Sequence, residues 1–235
     1  MRQKLSAMNP DDMINMDQTP IHFMFPSNCT LEKKGTKTIH VHTSTTDTKH
    51  ATLAAAVTGS GKLLTPFLIF KGKSNGRIAA KELQTYPKEC IYACQEKAWM
   101  DEIMMHKWID LVLIPWKQSR DPGVIPVLIL DAYRVHMMGS VVNRIQSLGI
   151  EVQHIPAGCT YLCQPVDVGI NCPIKKEMTD QWEEWMMSGS GVSAGVAKTP
   201  SRAQVAEWIV GAYKAITEET GRNAWRKTYY EWFLA

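Results

Sequence analysis

The chain has 235 residues, 45% hydrophobic and 21% charged, a size and balance suited to one large core or a core with an appendage. Its net charge of +3 permits a nucleic-acid partner without arguing for one, because a basic patch depends on distribution rather than on the sum. No apolar run approaches the roughly 18 residues of a membrane span, and MRQKLSAMNPDDM lacks the apolar centre of a secretory signal, so neither a membrane segment nor a leader is expected.

In chain order, residues 1–13 read as a linker. INMDQTP (14–20) is a short apolar approach to a carboxylate, Asp17, with Thr19-Pro20 expected to stop a strand or open a turn. Residues 30–35 are polar and loop-like. TKTIHVHT (36–43) alternates as a strand does, with Ile39 and Val41 on one face and His40 and His42 on the other. The apolar runs 51–57 and 63–70 flank Thr-Gly-Ser-Gly and predict a hairpin, since glycine supplies the positive φ of a tight turn. From about 73 to 120 the pattern loosens into an insertion. Within it 99–116 has helical spacing, an expected buried face of Ile103, Met104, Trp108, Leu111 and Val112, and Pro115 to end it.

VIPVLILDAYRVH (124–136) follows the turn residues Asp121, Pro122 and Gly123 and reads as a strand over 125–130, buried on both faces. It ends at once in Asp131. A helix is expected from about Ser140 to Leu148 with Gly149 after its C-terminus, then a strand at 151–156. Residues 157–187 begin as loop and become helix near Pro165 or Asp167. The Gly/Ser-rich 188–201 reads as a mobile linker. Beyond it Val205, Trp208, Ile209, Ala212, Tyr213 and Ile216 recur at helical intervals, and Gly221 is expected to break that helix before a last one ending near Leu234. The order predicts an α/β fold with a mixed sheet flanked by helices: a domain over 14–187 with the insertion, then a helical extension over 202–235.

Candidate chemistry centres on Asp17, Asp131 and Asp167. Each follows or ends a predicted element, and the 36 residues between the last two just accommodate helix, strand and loop. Hard oxygen ligands of this kind suit Mg²⁺ or Mn²⁺, and two such ions about 4 Å apart can activate a nucleophile and stabilise a leaving 3′-oxygen. Spacing alone is weak evidence, since among 23 acidic residues some three will always fit. Locally, Asp17 also reads as a turn cap before Thr19-Pro20, and Asp167 as a helix N-cap. Asp131 is the strongest of the three, because a carboxylate at the mouth of an apolar strand needs a partner. The six cysteines (Cys29, Cys90, Cys94, Cys159, Cys163, Cys172) lack the CxxC pairs of structural zinc and read as reduced thiols.

INMDQTP, VIPVLILDAYRVH and CTYLCQPVDVGI, in that order, resemble the catalytic domain of DDE-superfamily endonucleases and transposases of the pogo, Tigger and jerky branch of Tc/mariner. WMDEIMMHKWID and KGTKTIHVHT resemble further stretches of the same domain. The resemblance implies a ribonuclease H-like fold with a helical insertion. It also implies three catalytic, metal-binding aspartates at Asp17, Asp131 and Asp167, two Mg²⁺ or Mn²⁺ ions, and DNA cleavage with strand transfer. His136 and Gln164 would support them, with Pro165 and Gly169 in the same motif. Glu177, where many relatives carry a glutamate, is a rival third ligand about 15 Å along the helix from Asp167. Lys175 and Lys176, and Lys71, Lys73 and Arg77, are candidates for DNA backbone contact, with a solvated face the default reading for loop lysines such as Lys33, Lys34 and Lys37. The family also implies a nuclear location, a dimer bridging two DNA ends and a helix-turn-helix recognition module, for which the few residues before Asp17 leave no room. A domesticated, non-catalytic DNA- or chromatin-binding protein is the alternative.

Overall fold

The structure is a computed structural model that describes residues 8–25, 49–193 and 196–228. The strand expected at 36–43, with His40, His42 and the nearby Lys33, Lys34 and Lys37, lies outside these residues, as do Cys29 and the end of the last expected helix.

Alternation along β1 (Met13–His22) sends Met13 and Ile21 into one apolar cluster and Ile14 and Met16 into another, all of them buried. A strand that is apolar on both sides demands a layer on each. The remaining strands are β2 (His50–Thr58), β3 (Phe67–Lys71), β4 (Ile91–Gln95), β5 (Val127–Leu130) and β6 (Glu151–His154). They form a six-stranded mixed sheet in the order β4-β3-β2-β1-β5-β6. β2 runs antiparallel to β1 and β3, while β1–β5, β5–β6 and β3–β4 are parallel. The C-terminal ends of β1, β3, β4, β5 and β6 therefore point the same way.

On one face lie α1 (Glu102–Trp108), α2 (Ile114–Gln118) and α3 (Gly139–Ser147), which bury Met104, Trp108, Trp116, Val141 and Ile145 against it. The short α4 (Thr160–Cys163) leads toward the other face, where α5 (Asn171–Met187), α6 (Arg202–Ala215) and α7 (Glu218–Arg226) bury Ile174, Met178, Ile209 and Trp225. Gly149, at φ +72°, follows α3 as expected.

Several expectations are corrected. β1 does not stop at Thr19-Pro20 but pairs with β2 as far as His22. Beyond Asn15 it has no pairing with β5, and proline is tolerated on a strand with an open edge. The supposed insertion contains β4, a parallel edge strand. Pro115 does not end its helix, because it opens α2 directly after a widened turn, Ile109–Leu113, where a missing N–H breaks no regular ladder. The widened turn also re-aims the helix. Met104, Trp108, Val112 and Trp116 share the buried side with Met105, Ile109 and Leu113, while the expected core residues Ile103 and Leu111 are exposed. Four-residue spacing over so long a span exceeds 3.6 and needs the wider turn.

The Gly/Ser-rich stretch includes a short antiparallel ladder of β7 (Val192–Ser193) and β8 (Val196–Ala197). Gly221 does not break a helix either. The break comes at Ile216 and Thr217, and the Thr217 hydroxyl caps α7 by accepting from Thr220 N. Gly221 lies inside α7 where that helix rests on the β2–β3 turn, and a Cβ there would run into Gly61, itself at φ +92°.

Candidate active site

β1 and β5 pair in parallel up to Asn15 and Ile129, so Asp17 and Asp131 each lie two residues beyond the last shared pair, on the same side of neighbouring strands. Asp167 comes from a widened helical turn, Val166–Ile170, that runs directly into α5. The turn is tied to β1 through one side chain. Asn15, fully buried, accepts from Val166 N at 2.9 Å and donates to Ile129 O at 3.0 Å and Gln164 Oε1 at 3.1 Å. Gln164 is fully buried as well and donates to Met16 O. A buried amide in an apolar strand must be saturated in this way, and here the saturation joins β1, β5 and the Gln-Pro-x-Asp loop.

Asp17 is buried, and that burial pushes its carboxyl up to about 8. The charge and hydrogen bond of Asp167 act in the same direction, as does the charge of Asp131, against a bond from the Gln18 backbone. Glu177 does not figure among these influences. Asp131 is the opposite case. Burial acts to raise it, but the hydrogen bond and charge of His136, the Tyr133 N–H and the charge of His154 outweigh burial and hold it below the usual carboxylate range. His136, fully buried, meets Asp131 Oδ1 through Nδ1 at 2.5 Å. Its Nε2 faces the Gln18 amide Nε2 at 2.9 Å. Because a carboxylate oxygen can only accept, Nδ1 is the donor in the hydrogen bond to Asp131. Asp167 Oδ1 accepts from Asn171 Nδ2 at 2.7 Å.

Asp17 and Asp131 line one cleft, together with Gln18, Thr19, Pro20, His50, Thr52, Trp99, Met100 and Tyr133. Among the described residues, no three His, Cys, Asp or Glu side chains converge tightly enough to hold a metal ion. The donor chemistry nevertheless fits a divalent cation. A buried carboxyl whose strongest neighbours include two further carboxylates and no cation is a site that a hard cation would neutralise.

The basic candidates divide. Lys71, Lys73 and Arg77 are exposed at and just beyond the C-terminal end of β3, the sheet end on which the carboxylates lie. Lys176, also exposed, pairs with Asp180 one helical turn on, and Lys175 is half-buried. Sequence reasoning gave no role to Asn15, Gln18 or Asn171. For Asn15 a signal existed, namely an amide in a strand otherwise apolar on both faces.

Comparison with known proteins bears on the fold and the family. The DDE superfamily endonuclease family matches residues 47–225. A mouse protein, pogo transposable element with KRAB domain, is 28% identical over 225 residues, covering 92% of this chain and 35% of its own length, so the chain spans about a third of that relative. The Mos1 transposase paired-end complex with left transposon end superposes with a TM-score of 0.60 at 13% identity, covering 98% of this chain and 59% of that one. The catalytic domain of Mos1 mariner transposase gives 0.55 at 13% identity, covering 99% and 88%. The sheet and its flanking helices are thus the ribonuclease H-like fold expected, and the chain belongs to the DDE superfamily endonuclease family.

Proposed function

We propose that this chain is a transposon-derived nuclease or transposase domain that binds DNA and carries out metal-dependent phosphodiester cleavage and strand transfer. The observation that carries this reading is Asp17, a buried carboxyl pushed up to about 8 by its surroundings, Asp167 and Asp131 included. Asp17, Asp131 and Asp167 would hold two Mg²⁺ or Mn²⁺ ions, a choice supported by Mos1 paired-end complexes solved with Mn and with Mg. The ions would supply the charge that activates the attacking oxygen and stabilises the leaving one. His136 holds Asp131 ionised and oriented, Gln164 and Asn15 hold the loop that carries Asp167, and Lys71, Lys73 and Arg77 contact the phosphate backbone. A nuclear location, a homodimer and a separate DNA-recognition module belong to the same proposal.

The test is nicking of plasmid DNA in Mg²⁺ or Mn²⁺, abolished by Asp131→Asn. Nicking that survives the substitution overturns the assignment. The second reading, a domesticated DNA- or chromatin-binding domain without catalysis, draws on the absence of a closed three-ligand cluster among the described residues. DNA binding indifferent to chelation and to Asp131→Asn would favour it.

A further inference from the structure

The cleft that holds Asp17 and Asp131 also has two aromatic rings on its walls, Trp99 and Tyr133. Trp99 is 56% exposed and Tyr133 41% exposed. Scattered exposed aromatics need no explanation, but two rings facing the cleft that holds two carboxylates do.

Local structure holds each ring out. Trp99 sits between Ala98 and Met100, both buried, so the backbone is anchored on either side while the indole projects. Ala98 adopts φ +59°, a left-handed conformation that a residue with a Cβ rarely takes. The turn is fixed by Gln95, whose Oε1 accepts from Lys97 N at 2.6 Å and Trp99 N at 3.1 Å, while its Nε2 donates to Asp101. Asp101 in turn caps α1. Tyr133 is placed by its N–H to Asp131 Oδ1 at 3.1 Å, and its ring lies edge-on to His136 at 5.7 Å. One aromatic wall is therefore built onto the residues that position a candidate metal ligand. Lys97 Nζ lies over one face of the Trp99 ring, 5.3 Å from its centroid, which leaves the opposite face for a stacked base.

A ligand for this cleft would offer flat rings to Trp99 and Tyr133 and a phosphate to the cations that Asp17 and Asp131 would hold. A nucleotide in a strand does both. A base inside a duplex shows only its edge, and its faces are already stacked. We infer that Trp99 and Tyr133 form a stacking site for an unpaired DNA base next to the phosphate at the carboxylates, so that the domain favours DNA opened or overhanging at the cleavage point. This rests on the nuclease reading above and adds to it the form of the substrate.

The test uses a DNA hairpin with 2-aminopurine in a 3′ overhang, against a blunt duplex with the same base paired, both in Ca²⁺ to allow binding without relying on turnover. The overhang is expected to bind more tightly, with its fluorescence quenched by stacking. Trp99→Ala and Tyr133→Ala should each abolish the quench and weaken overhang binding about tenfold, with little effect on the duplex. Trp99→Phe and Tyr133→Phe, which keep a ring, should retain most of both. Both side chains are exposed, so unchanged melting temperatures serve as the folding control. Equal binding of the two DNAs, or a quench that persists in the alanine variants, overturns the stacking site. If nicking is metal-dependent and lost in Asp131→Asn while the alanine variants bind as wild type, only this inference fails. If no DNA is bound at all, both fail.

Discussion

Asp17 retains its proton near neutrality in the metal-free protein, because burial and two neighbouring carboxylates all act against its charge. A carboxyl raised from 3.8 to about 8 binds its proton more tightly folded than unfolded. Its stabilising effect is therefore complete below about pH 4 and is lost as pH rises toward 8. Melting curves should show wild type falling in stability relative to Asp17→Asn across that window. Mg²⁺ or Mn²⁺ should raise the wild-type melting temperature by several degrees, more at pH 8.5 than at pH 6, because the cation competes with the proton. A metal-free pH profile shared by the two proteins would contradict this. At this scale the sequence disclosed Asp131 readily, since a charge closing a run of apolar residues is visible locally. It disclosed the part of Asn15 only as an anomaly, because its partners Ile129 and Gln164 lie 114 and 149 residues away and no local pattern encodes them.

The turn that carries Asp167 is held from outside as well as from β1. Gly169, two residues on, lies against α7, and a Cβ there would press on Ala224 Cβ and come within 2.6 Å of Ala224 Cα. The backbone of a helix cannot give way as a side-chain tip can. Gly169→Ala should therefore cost about 1–3 kcal/mol in denaturant unfolding and reduce metal-dependent nicking beyond what the reduced stability explains. Nicking at the wild-type level would show that this turn need not be placed so closely. The glycine of the motif was legible in the sequence, but its reason was not, because the reason is Ala224 on a helix far downstream. Continuous apolar runs bounded by turn residues likewise gave the β2–β3 hairpin and β5 within a few residues. The 99–116 helix was found but its buried face partly misassigned, since a widened turn changes the period that the reading assumed. β4 was missed because IYACQ, a short mixed edge strand, carries little pattern.

Across the whole molecule, mild net charge conceals a directional arrangement. Lys71, Lys73 and Arg77 stand at the sheet end that bears the carboxylates, whereas Lys176 is engaged by Asp180. Replacing Lys71, Lys73 and Arg77 by glutamine should flatten the dependence of log affinity on log salt by about one unit for every phosphate left without its cation, whereas Lys176→Gln should alter it less. Equal effects would reassign the DNA path to α5. The three-carboxylate grouping was visible as motifs in order, yet which end of the sheet collects them depends on strand directions that spacing does not state. The central place of β1 also has a consequence for synthesis. It leaves the ribosome before its parallel partner, with Asn15 and Ile129 separated by 114 residues, roughly 5–25 s at ordinary translation rates. Through that interval an apolar strand, greasy on both sides, has at most an antiparallel neighbour and an open edge. Over that time the nascent strand exposes the apolar surface that holding chaperones bind, and the loop that carries Asp167 is made later still.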